Sequence, residues 1–252
     1  MNIFSNIKLM TRIQTGNLDL IEKVQARVSH TLENNGLLID LGIEHCKRYL
    51  QRKINSKTQV VVMYVDINGS TKMSRDLPSK ELSLIIQIFS QEISLSIINY
   101  GGYILKFVGD AVIGLFPSEH NPQKALENSF DCAMNVLNII KHGVNPVFKK
   151  HSLPSINVKI GIECGEAIIL VYGKNVEFAH IDIIGFSISI ASKITSLASP
   201  NEIIAGENAF TLIGEDQKKF FIDLTNEQGS KWDSIMKYND GLKYRVFKYI
   251  KR

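Results

Sequence analysis

Apolar positions along this chain switch between two periods. Val61–Val65 is a continuous, mostly β-branched run that ends at Asp66, the pattern of a buried strand. Ser79–Tyr100 instead carries Leu82, Ile85, Ile86, Phe89, Ile93 and Ile97, the stripe of a helix lying on a sheet, and Gly101–Gly102 ends it. Tyr103–Phe107 and Asp110–Phe116 flank Gly109, which predicts a hairpin whose tight corner presents Asp110. A second long helix is expected over Gln123–His142, with Ala133, Leu137 and Ile140 inward, then a loop punctuated by Pro146 and Pro154. Asn157–Glu163 and Ala167–Tyr172 read as strand around Gly165, with a short edge at Ile181–Ile184. Ser187–Leu197 predicts a helix, Glu202–Ala205 a strand, Asn208–Ile213 a short helix and Leu242–Ile250 a terminal strand. Strands and helices so interleaved imply one layered α/β (α+β) domain.

The first residues differ. Leu20, Ile21, Val24 and Val28 form a helical stripe before Asn34–Gly36, and Ile39–Ile54 repeats the pattern weakly. Gly36 and Gly42 argue against one continuous helix. The expected organisation is a helical segment over residues 1–57 followed by the main domain over 58–252. The stripe needs burial, either on the main domain or in a subunit contact.

Composition changes this picture little. At 252 residues and 44% hydrophobic the chain can bury a large core and is not disordered. Residues 1–60 hold nine Lys/Arg against five Asp/Glu, so the net charge of +4 sits wholly in the N-terminal segment. Lys47, Arg48, Arg52, Lys53 and Lys57 are best read as a solvated helix face. No aromatic interleaving marks a strand-binding groove, and no stable nucleic-acid partner is expected. Cys46, Cys132 and Cys164 lie far apart, which excludes a zinc knuckle and suits reduced, cytoplasmic thiols. No segment is expected to span a bilayer.

The chemistry centres on two acids. A carboxylate at the end of a buried strand must be paired, hydrogen-bonded or bound to a cation. Asp66 and Asp110 are separated by one strand–helix–strand excursion, long enough to set their strands side by side. The turn Ile67–Thr71, containing Asn68, Gly69, Ser70 and Thr71, is expected to offer backbone N–H groups and hydroxyls to phosphate oxygens. Its spacing is not that of a Walker loop. His120, His142, His151 and His180 are scattered and form no nucleophilic triad. Two such acids suit magnesium or manganese joined to a triphosphate, against the alternative of structural buried acids.

Over about residues 58–206 the segments YVDINGST, LKFVGDAVIGLF, VKIGIECGEA, IDIIGFSISIASK and SPNEII resemble the catalytic domain of class III nucleotide cyclases. The resemblance implies a mixed antiparallel sheet flanked by helices, and two Mg²⁺ or Mn²⁺ ions per active site. It makes Asp66, Asp110 and the Ile67 carbonyl the metal ligands. It also implies a nucleoside triphosphate substrate and a head-to-tail homodimer with composite sites. Lys106 and Asp182 match the pair that reads adenine in adenylate-forming relatives; a surface ion pair and a turn-orienting acid are the plainer alternatives. Ser189 stands where the family has its transition-state asparagine, and Lys193 where it has the phosphate-facing arginine. Four residues apart, the two share one helical face. Serine reaches less far and lysine lacks the planar fork, which puts ordinary adenylate cyclisation in doubt. The chain also resembles bacterial pyrimidine cyclases of anti-phage signalling. That likeness implies UTP first, then CTP, with Tyr64 beside the base or simply in the sheet core, and a separate cyclic-nucleotide effector. ATP cyclisation and a degenerate nucleotide-binding module stay open.

Overall fold

Strand β1 (Lys57–Ile67) lies in the interior of the sheet because its neighbours cover both edges: β3 (Ala111–Pro117) and β4 (Val158–Tyr172), each antiparallel to it. The computed structural model describes residues 3–34, 42–175, 179–227 and 243–250, with side chains from Asp19 onward. Side chains alternate along a strand, so β1 feeds two cores. Val61, Met63, Val65 and Ile67 join one apolar cluster, and Val60, Val62 and Tyr64 the other. Asp66 therefore lies on the second face, with Tyr64.

The sheet runs β2 (Tyr103–Val108), β3, β1, β4, β6 (Glu202–Gly206), β8 (Val246–Tyr249), β7 (Phe221–Asp223), with β5 (His180–Ile184) paired to the far half of β4. Its described pairs are antiparallel except β4 with β6, the mixed sheet expected. On the first face lie α1 (Ile3–Asn34), α4 (Ser79–Asn99) and α5 (Pro122–Asn138). On the other lie α2 (Ile43–Gln51) and α7 (Phe186–Leu197).

Several expectations are corrected. Pro146 does not open a loop: α5 runs into a π-helical turn at Ile139–Val144, and α6 (Asn145–Lys150) follows with Pro146 in its first turn. The missing proline N–H falls where the i−4 ladder has already been given up. The turn after β1 is shorter than expected, because Gly69 in a left-handed conformation (φ 79°) starts α3 (Ser70–Asp76) at once. β4 passes unbroken through Gly165. Helices α8 (Glu207–Leu212) and α9 (Glu215–Lys218) precede β7; α9 and β7 carry too few apolar residues to register as periodic. The terminal strand begins at Val246, and Leu242 lies outside the described residues, as do Gly36 and Ile39.

Of the two burial options for the N-terminal stripe, residues 20–32 take the main domain. Val24 and Val28 are buried in the first cluster, and Val24 fills the notch at Gly143, where a Cβ would come within 2.5 Å of it. Arg27 donates to both carboxylate oxygens of buried Glu92, at 3.0 and 2.6 Å. The second helix starts only at Ile43, after Gly42 at φ 71°. By length and composition α4 is apolar enough to cross a membrane, contrary to expectation, yet half of it is buried, with Ile85, Ile88, Phe89, Ile93 and Ile97 in the first core.

Candidate active site

Asp66 is the penultimate residue of β1, opposite Ala111 on one side and Lys159 on the other. Val108 pairs with Ala111, so the β2–β3 loop is the two residues Gly109 and Asp110. Gly109 adopts φ 62°, the conformation that mirror-image hairpin turns reserve for glycine. This corner brings the Asp110 carboxyl within hydrogen-bonding reach of Asp66.

Burial, then the charge of Asp110, pushes Asp66 up to about 6, while Lys159 and the Ile67 N–H pull the other way. Asp110 Oδ2 is buried with no hydrogen-bond partner. Two crowded carboxyls and an orphaned oxygen fit a divalent cation, which would relieve both penalties. Among the described residues no group of three His, Cys, Asp or Glu could hold a metal. Two carboxylates, a backbone carbonyl at Ile67 and oxygens from substrate and water is the donor set magnesium favours.

The adjoining backbone is braced from the β4 side. The Asn68 N–H donates to the Asn157 carbonyl at 2.9 Å, and Asn201, left-handed at φ 62°, donates from Nδ2 to Asn157 Oδ1 at 2.8 Å. Ser70 and Thr71 stand in the first turn of α3, so any N–H groups they offer belong to a short helix rather than a loop.

A second cluster lies on the same face of the sheet. Lys106 Nζ meets Asp182 Oδ2 at 2.5 Å, and Asp182 Oδ1 accepts from the Ile183 N–H at 2.8 Å. The pairing depends on a bulge in β2: Ile104 lies opposite Gly114, but Lys106 lies opposite Ile113, leaving Leu105 extra. Residues opposite one another share a face, so the bulge moves Lys106 from the Ile104 side to the Ile113 side. Tyr64 hydrogen-bonds Ser192 of α7, and burial raises its phenol, that bond opposing and the Asp182 charge adding.

Ser189 and Lys193 lie one turn apart on the exposed face of α7. Gly161 sets how closely α7 approaches β4: a Cβ there would lie 2.2 Å from Thr195 Oγ1 and 2.6 Å from the Ala191 carbonyl oxygen. Asp66 and Asp110 thus come together, as do Lys106 and Asp182. Sequence reasoning missed Lys159 and Ser192, since each enters only through strand register or helix packing.

The chain is similar to known proteins in both sequence and fold. The profile of the adenylate and guanylate cyclase catalytic domain matches residues 52–231. A cytidylate cyclase of Escherichia coli is 29% identical over 162 residues, covering 62% of this chain and 35% of that protein. A uridylate cyclase of Treponema porcinum is 28% identical over 192 residues, covering 73% and 61%. The chain thus spans about a third of the first relative's length. In fold it is similar to the adenylyl cyclase CyaB from P. aeruginosa, with a TM-score of 0.63 and 19% identity over 78% of this chain and 96% of that one. The guanylate cyclase domain of RhGC from Catenaria anguillulae, solved with GTP, gives 0.62 at 20% identity over 78% and 99%. With the match covering well over half its residues, the chain belongs to the adenylate and guanylate cyclase catalytic domain family.

Proposed function

We propose that this chain is a pyrimidine nucleotide cyclase, converting UTP in the first place, or CTP, to its 3′,5′-cyclic monophosphate and pyrophosphate. The observation that carries the reading is the Asp66–Asp110 pair with its orphaned oxygen. Support for a pyrimidine comes from relatives named cytidylate cyclase and uridylate cyclase.

Asp66, Asp110 and the Ile67 carbonyl would hold two Mg²⁺ or Mn²⁺ ions. When bound, the cations polarise the α-phosphoryl group and neutralise charge developing on the leaving pyrophosphate. The ribose 3′-hydroxyl attacks the α-phosphorus and passes its proton to solvent. The new P–O bond replaces the bond to the bridging oxygen of the β-phosphate, which leaves with pyrophosphate. Lys159, facing Asp66, adds positive charge at the phosphate end. Ser189 donates a hydrogen bond and Lys193 places its ammonium against the phosphates across a homodimer, completing the site of the facing copy. Lys106 can donate to the uracil O4, and Asp182 can accept from the cytosine amino group. The same pair supports a second reading, ATP cyclisation, since adenine also offers an amino group. The product would act through a separate effector in anti-phage defence, as the resemblance to bacterial pyrimidine cyclases implies.

The test is four-way competition among nucleoside triphosphates with Mn²⁺ or Mg²⁺, products identified by mass. Cyclic UMP or cyclic CMP is the expected dominant product; cyclic AMP would favour the second reading, and no product a binding module. Asp66→Asn and Asp110→Asn should each lower turnover by ~10³-fold or more while the chain stays folded, equivalent to about 4 kcal/mol of transition-state stabilisation.

A further inference from the structure

Helix α2 lies outside the family match, which starts at residue 52, yet it packs where base recognition is proposed. Its buried residues Cys46 and Leu50 share an apolar cluster with Leu105, the extra residue of the β2 bulge, and with Ile181, beside Asp182. All four are at most 8% exposed. The helix is fastened at its far end. The Tyr49 ring stacks on Tyr103 of β2, centroids 5.0 Å apart, while the Tyr49 hydroxyl, Lys53 and Thr58 all donate to Glu119 Oε1.

A bulge locally disrupts the ladder and leaves its extra residue unpaired, so contacts from outside the strand bear on where that residue sits. Here the extra side chain is Leu105, and α2 is its cover. A regular β2 would return Lys106 to the Ile104 side of the sheet, away from Asp182. We infer that α2 is a positioning element for nucleotide selectivity: Leu50 and Cys46 clamp the Leu105 bulge and so keep Lys106 aimed at Asp182. The inference rests on the reading of Lys106 and Asp182 as the base-facing pair. Neither α2 residue touches substrate; both act through the bulge.

The test uses the full chain with Leu50→Ala. Selectivity is read as the ratio of kcat/KM between the preferred and competing triphosphates, and in parallel as the ratio of their dissociation constants. The ratio should fall about 10-fold, equivalent to ~1.4 kcal/mol, through KM rather than kcat. The Lys106 side-chain ammonium, followed by nitrogen NMR without nucleotide, should lose its contact with Asp182. Leu50→Met should restore both. Ile88→Ala, a truncation in the opposite core, should lower the melting temperature and leave the ratio unchanged. Should Leu50→Ala not fold, Glu119→Gln loosens the same helix and should lower the ratio about 3-fold. An unchanged ratio and an intact Lys106 contact in a folded α2 variant, with Lys106→Ala still losing selectivity, would overturn the inference and leave the base-facing reading standing. A Lys106→Ala protein with unaltered selectivity would remove that reading, and the inference with it.

Discussion

Glu163 shows how much one side chain can hold. It is fully buried in β4, accepting from the Cys164 and Ala209 N–H groups at 2.7 and 2.8 Å and from the Tyr244 hydroxyl. Gly206 is required beside it, because a Cβ there would lie 1.8 Å from Glu163 Oε2. Burial pushes the carboxyl up to about 7, with Glu207 adding and the three hydrogen bonds opposing. Its folded value lies above the ordinary 4.5, so the unfolded chain releases this proton first. Stability from this group is therefore fully present below about pH 4.5 and is lost as pH rises towards 7, by on the order of 3 kcal/mol. Glu163→Gln keeps the shape and an acceptor while removing the titration; urea unfolding of the variant should show a flatter pH dependence across that window. The acids Asp66 and Asp110 were legible in the sequence because a strand-ending carboxylate and a glycine-led corner are local signals. Glu163 was not, since its partner Tyr244 lies 81 residues away and nothing nearby marks the meeting.

At the scale of elements, the close seat of α7 on β4 decides where Ser189 and Lys193 stand. Gly161→Ala should force Thr195 and the Ala191 carbonyl outward, lowering stability by ~1–3 kcal/mol and turnover by at least ~10-fold. Calorimetry and a cyclisation assay check the two effects, and a loss of stability with full turnover would detach α7 from catalysis. The long stripes of α4 and α5, the hairpin and α7 could be read from periodicity because each has a buried face several turns or residues long. The π-helical turn, the short α3 and the β2 bulge could not. Each departs from a regular period by one residue or a few; the π-helical turn and the bulge sit against neighbours from elsewhere in the chain, Val24 at Gly143 and Leu50 near Leu105, while α3 starts early behind the left-handed Gly69. Lys106 was singled out by its motif, but a strict alternation from Ile104 puts it on the wrong face.

For the whole molecule, the two N-terminal helices serve opposite faces, α1 closing the first core and α2 covering part of the second. The proposed composite sites predict complementation. D110N and K193A subunits, each inactive alone, should on mixing in equal amounts recover about a quarter of wild-type turnover, because half the dimers then carry one intact site. Verified heterodimers without recovery would confine all the groups to one copy. Among the described residues the sheet has margins at β2, at the three-residue β7 and at β5, which pairs with β4 alone. A long, regular margin would present a row of free backbone donors and acceptors to any passing extended peptide. Here the β7 margin is too brief to serve as a template and the β2 margin is kinked at Leu105. The irregularity that turns an ammonium inward thus also guards against sticking, and a variant straightened to retune base preference would gain an adhesive rim and tend to precipitate.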